Sequence, residues 1–219
     1  MLEKIMDTQN PFWKFMGKLF DVVILNLLWT FFSIPVVTAG ASTTAVYAVC
    51  FSQIREQEPS IAKSFIHNWK IGWGRSTGLF FILLGISAVL IFDIVYFLLL
   101  QTYLTGIFQY ILCAFLTLIL CIVWMTGCYA FALHALFDNT LITTIRNALV
   151  MTLRHPVRSL SILVINGVIL IGGFLSLYWA PMISVLFLLI GIALCIFLNC
   201  IILLPVMTPH LSGNVDIDA

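Results

Sequence analysis

Charge is what this chain has least of. Asp, Glu, Lys and Arg make up only 9% of its residues, against about 25% in an ordinary soluble domain. No hydrophilic stretch reaches the roughly 50 residues of a small independent domain, which excludes an attached nucleotide-binding, kinase or DNA-binding module. No G-x-x-x-x-G-K-[ST] segment occurs, so the chain cannot hydrolyse ATP by that route. The net charge of +1 gives no footprint for a nucleic-acid partner. G-x-S-x-G, H-E-x-x-H and carboxylates paired on one helix face are missing as well, so no enzymatic activity and no catalytic residue is expected. There is no C-x-x-C either. Cys50, Cys113, Cys121, Cys128, Cys195 and Cys200 all lie in apolar stretches, where a free thiol behaves as a small hydrophobe. Cys121 and Cys128 share a helix face, but no His or carboxylate stands beside them, and neither metal nor cofactor is expected.

What the chain does have is apolar length. Hydrophobic residues make up 62% of it, and from Gly78 to Phe137 the only Asp, Glu, Lys or Arg is Asp93. Since a membrane span takes roughly 20 apolar residues, that segment reads as two membrane-spanning helices. The spans expected along the whole chain are 20–37, 79–100, 106–131, 159–178 and 182–204, with a short or re-entrant helix at 41–54. The expected fold is an all-α integral membrane protein, a single helical bundle in contact with the lipid bilayer. Ala39-Gly40-Ala41 has the form of a signal-cleavage site, but the polar leader and Asp21 make the first run read as a retained anchor.

The ten Lys and Arg residues fall into three clusters: Lys4, Lys14 and Lys18; Arg55, Lys63, Lys70 and Arg75; Arg146, Arg154 and Arg158. The connections Gln101–Thr105 and Tyr178–Pro181 carry none. If 41–54 returns the chain to its starting side, all ten cations share one face, as the positive-inside rule requires. That arrangement puts both termini in the cytoplasm of a cell carrying the protein in its plasma membrane. Two crossings in so few residues leave about 17 each, the lower limit for a span. A re-entrant hairpin that dips in and turns back satisfies the same charge distribution.

Two basic connectors have helical pattern. Ile61, Ala62, Phe65, Ile66, Trp69 and Trp73 fall on one arc of a helix, with Lys63, Ser64, His67, Asn68, Lys70 and Gly74 opposite. Pro59-Ser60 marks its start. This predicts amphipathic helices at about 60–74 and 140–154 lying in the cytoplasmic headgroup plane.

Asn10-Pro11-Phe12-Trp13-Lys14-Phe15-Met16, then Asn26-Leu27-Leu28-Trp29, then Ser33-Ile34-Pro35-Val36-Val37-Thr38-Ala39-Gly40-Ala41-Ser42-Thr43 resemble the YesL-like family of bacterial multi-pass membrane proteins. Phe65 through Trp69-Lys70 and Arg146-Asn147-Ala148-Leu149 match the same family, so the resemblance runs along essentially the whole chain. The family has no assigned biochemical function, and its members are often encoded beside carbohydrate-uptake transporters and polysaccharide-degrading enzymes. The resemblance therefore implies a setting in sugar uptake, with subunits of a carbohydrate transporter as expected partners. Oligomeric state is left open by the sequence.

The residues themselves suggest two kinds of place. Pro35 frees backbone carbonyls that need partners in lipid. Gly40, Ala41, Thr44, Ala45 and Ala48 offer a small-residue face, and Ser42 and Thr43 can bond exposed backbone. This break is either a binding site of the interrupted-helix kind or a tight structural turn. Asp93 is the one carboxylate well inside a long span, so it is either a proton-coupling or sugar-binding group or an interfacial carboxylate. Its candidate hydroxyl partners are Tyr96, Tyr103 and Tyr110. Asn26, Asn166 and Asn199 need hydrogen bonds within apolar runs, as helix–helix glue or as a substrate site. His134 and Asp138, four apart, could pair with each other. Two functions follow as expectations: a non-catalytic accessory or assembly protein for a carbohydrate importer, or a small transporter or channel. In the second, Asp93, Asn166 and the Pro35–Thr44 break would line the path.

Overall fold

Residues 11–55, 60–99, 106–179 and 181–212 are described by the computed structural model, and no strand occurs among them. Their order is α1 (Pro11–Ser33), a single 3-10 turn (Val36–Thr38), α2 (Ala39–Ile54), α3 (Ile61–Leu99), α4 (Ile107–Leu136), α5 (Leu141–Arg154), α6 (Pro156–Trp179) and α7 (Pro181–Ser212). Three helices begin on proline, whose fixed φ and missing N–H suit a first helical position. Gly106, at φ 104°, supplies the left-handed residue from which α4 starts. Five helices contain stretches long and apolar enough to cross a membrane: α1, α3, α4, α6 and α7. The chain is an all-α, multi-pass membrane bundle.

α1 ends where Pro35 removes a donor and bars Ile34 from helical geometry. α2 then runs back along it. Gln53 Nε2 donates to Asp21 Oδ2 at 3.2 Å, and Trp29 Nε1 donates to Thr43 Oγ1 at 3.1 Å. Pairing of 53 with 21 and of 43 with 29 fixes an antiparallel hairpin. At 16 residues, α2 is about 24 Å long, short of the roughly 30 Å hydrocarbon layer. It is nonetheless the innermost element, packed by α1, α3, α4 and α7. Ala45, Val46, Val49, Cys50 and Phe51 are all buried in the core.

From that core two hairpins extend. In α3–α4, Gly127 sits against Leu83 and the Gln109 side-chain amide donates to the Phe97 carbonyl oxygen. In α6–α7, the Phe187 ring fits over Gly172 and Gly173. Their outer lengths expose Phe92, Leu99, Phe108, Ile171 and Phe174, an apolar surface suited to lipid.

The expected helix at 60–74 is not a separate element. It continues through Arg75, Ser76, Thr77 and Gly78 into the span, giving one 39-residue helix about 58 Å long. Polar residues mark where a helix meets water, but none of these four breaks one. Its apolar arc also divides. Phe65 is buried and Ile61 and Trp69 pack on the core, whereas Ile66 and Trp73 stay exposed. The first span stops at Ser33 rather than 37, and the last runs to Ser212. Gln101–Thr105 and Tyr103 lie outside the described residues.

Candidate functional site

The first place is the turn between α1 and α2. Pro35 adopts φ −74°, ψ 111°, and the carbonyls left free are met locally. Thr38 N–H donates to Pro35 O at 2.9 Å. The Thr38 hydroxyl is shared between the Phe32 carbonyl and Pro35 O. Ser42 Oγ donates to Thr38 O at 3.1 Å, and Thr43 Oγ1 donates to Ala39 O at 2.8 Å while accepting from Trp29. Backbone that would be costly in lipid is thus bonded by three short side chains, Thr38, Ser42 and Thr43. Around it Ile34, Val36 and Val37 remain exposed.

Gly40 is the contact point of this turn with α3. A Cβ placed there would lie 2.4 Å from Ser76 O and 2.7 Å from Phe80 Cβ. Only glycine permits that approach. Below it, Phe32 packs on Phe65 and Trp69, at ring separations of 5.5 and 5.1 Å. Trp69 therefore belongs to the turn's packing, while Lys70, next in sequence, is exposed. The contact also sets the turn beside Arg75, the last cation of the middle cluster. A hairpin crossing the full hydrocarbon layer would carry its turn to the opposite face from that arginine.

The second place is a polar seam where α2, α4, α6 and α7 meet. Asn166 is at its centre: Nδ2 donates to Cys128 Sγ at 3.3 Å, and Oδ1 accepts from Cys195 Sγ at 2.7 Å and Asn199 Nδ2 at 3.0 Å. Tyr47 joins from α2, with Asn199 and Cys128 as side-chain partners, and Cys200 Sγ lies 4.0 Å from Tyr47 O. Asn199 Oδ1 is buried without a partner. Asn26 bonds elsewhere on α7, its Oδ1 accepting from Ala193 N–H at 3.0 Å. No group of three His, Cys, Asp or Glu suited to a metal occurs among the described residues.

Sequence reasoning singled out Asn26, Asn166 and Asn199 but missed Tyr47, Cys128 and Cys195 as their neighbours. A tyrosine inside a small-residue helix was the available signal. The structure brings Pro35, Gly40, Ser42, Thr43 and Trp69 together and leaves Asp93 apart. Seventeen positions along α3 separate Asp93 from Ser76, about 25 Å, and no described group bonds its carboxylate. Tyr96 stacks on Phe92 instead. Asp138 does not pair with His134 either; its carboxylate meets Arg75 at 3.8 Å, because the end of α4 lies beside that turn of α3.

Helices of this length and this buried polar seam define a multi-pass membrane protein. A family model described as a protein of unknown function, DUF624, matches residues 22–94, which is the second half of α1, all of α2 and most of α3. That family includes YesL-like proteins. No curated protein and no solved structure matches the chain.

Proposed function

We propose that this chain is a non-catalytic accessory or assembly protein of a carbohydrate importer, held in the plasma membrane with both termini in the cytoplasm. The observation that carries the reading is how the interior polar groups are used. Asn26 and Asn166 bond other helices of the same chain, and α2 is enclosed by four neighbours. Such contacts are worth about 0.6 kcal/mol each on average and serve as glue between helices. The carbohydrate setting comes from the YesL-like resemblance. The family match supports that resemblance alone, and falls on the stretch that holds its most specific motif.

The charge distribution and the Gly40–Ser76 contact together favour the re-entrant form of the first hairpin. All three basic clusters then share the cytoplasmic face, and the turn returns short of the far side, near Arg75. A transporter path through Asp93, Asn166 and the proline break has less to support it, since the three occupy different parts of the fold. Affinity capture of the tagged protein in mild detergent tests the proposal: a transporter subunit should be recovered reproducibly. Recovery of the chain alone, together with sugar or proton flux in liposomes that Asp93→Asn abolishes, would replace it with the transporter reading.

A further inference from the structure

α5 is the one helix in the bundle too short to cross a membrane and still apolar on its outer side. Its inner face buries Thr144, Ala148, Met151 and Thr152 against the bundle. On the opposite face Ile142 is 81% exposed and Leu153 61%, and Leu149 and Val150 are exposed between them. At 100° per residue these four side chains span one arc of about 100°, and Arg146 falls in its middle. Just past the helix, Val157 at the start of α6 is 77% exposed. An arginine centred in an exposed apolar face has nowhere dry to go. Its stem can lie along the aliphatic side chains while the guanidinium reaches toward polar groups.

Among the described residues no carboxylate supplies those polar groups. Between Asp138 and Asp216 the sequence contains no Asp or Glu, yet it carries Arg146, Arg154 and Arg158. The carboxylate that precedes them in sequence, Asp138, is engaged with Arg75. The position of the face is fixed too, because Leu141 packs against Gly78 of α3 at the level of that ion pair. Three guanidinium groups with no salt bridge among the described residues thus sit at the end of two membrane-crossing helices, beside apolar side chains pointing outward.

We propose that α5 lies at the boundary of headgroup and acyl chain and binds the phosphates of anionic phospholipids through Arg146, Arg154 and Arg158. Bidentate recognition of phosphate suits guanidinium groups, and the exposed aliphatic residues enter the acyl layer. The sequence pattern alone pointed more strongly to 60–74 for this role. That segment is instead fused to α3 and turns Phe65 and Trp69 inward, which leaves α5 as the free-standing interfacial helix.

The test uses the full-length chain in detergent and in nanodiscs. Native mass spectrometry counts bound phosphatidylglycerol against phosphatidylcholine for the wild type and for the Arg146→Gln/Arg154→Gln/Arg158→Gln variant. Each basic side chain near an anionic surface contributes roughly a fivefold preference, so the triple variant should lose on the order of 100-fold. Circular dichroism should show unchanged helicity, since Arg146 and Arg154 are exposed and Arg158, which acts on Tyr129 through space, sits at the half-buried start of α6. As a positional control, Lys63→Gln/Lys70→Gln removes two exposed cations from α3 and should cost less. An unchanged lipid preference in the triple variant would overturn the proposal, as would a larger loss in the Lys63/Lys70 variant. A third overturning result is the same Arg-dependent capture of an acidic transporter peptide with no preference among lipids.

Discussion

Substituting Gly40 by alanine tests the packing on which the hairpin depends. The added methyl would stand 2.4 Å from the Ser76 carbonyl oxygen and 2.7 Å from Phe80 Cβ, where ordinary contact begins near 3.4 Å. Neither neighbour can turn aside, since Phe80 Cβ is fixed to the backbone of the unbroken α3 as firmly as the Ser76 carbonyl is. α2 must therefore withdraw by about 1 Å, and it cannot do so freely, because α1, α4 and α7 press on its other sides. Overpacking of this kind costs about 1–3 kcal/mol, and the immovable backbone oxygen argues for the upper end. In a chain of this size each kcal/mol is worth about 2–4 °C, so the midpoint should fall by about 6–12 °C. Unfolding of the detergent-solubilised protein can be followed with a thiol-reactive dye, since Cys50 and Cys200 are fully buried between α2 and α7. Gly85→Ala is the matched control. Nothing lies within 4 Å of its added methyl, and a helical Gly→Ala change at an unstrained site stabilises by about 0.4–1 kcal/mol. Adding Phe80→Ala to Gly40→Ala should not restore the midpoint, because the Ser76 oxygen and the Cβ at position 80 both stay in place. A Gly40→Ala midpoint within a degree of wild type would refute the reasoning, as would an equal drop in Gly85→Ala.

Other outcomes follow from the same geometry. Asn166→Leu removes three side-chain contacts at once, so at about 0.6 kcal/mol per contact its melting midpoint should drop by about 4–7 °C; no drop would mean that the seam is not glue. Val37→Cys, on a background lacking native cysteines, should resist a membrane-impermeant maleimide applied to intact cells, and rapid labelling would show that the hairpin reaches the outer face. Asp93→Asn should leave both the melting midpoint and the yield of captured partner unchanged, since no described group bonds the carboxylate; loss of either would bring Asp93 back into the account.

Which parts of this fold can be read from sequence depends on what lipid does to the usual signals. Long apolar runs mark helices dependably, because a chain in hydrocarbon must satisfy its backbone within each segment; five of the long helices were legible that way. Hydropathy does not say which helix is innermost. In water the most apolar helix is buried, whereas in lipid every outward face is apolar and the buried helix is the one with small residues. Thus α2, with the weakest hydrophobic run, lies at the centre, and Leu99, in the far more apolar α3, faces outward. Charge misleads in a similar way. Lys63, Lys70 and Arg75 show where α3 meets water, but basic residues are good helix formers and give no stop signal, so a boundary drawn at 74 had no physical agent to make it. Local spacing fails for the same reason at His134 and Asp138. Their separation by four permits a pair, but the antiparallel return of α4 along α3 brings Arg75 to Asp138, and a guanidinium is the stronger partner for an exposed carboxylate. Cys128 and Cys195 show the remaining gap. A thiol counts as a hydrophobe until an unsatisfied amide lies within reach, and only the crossing of α4, α6 and α7 at Asn166 makes both sulfurs polar partners.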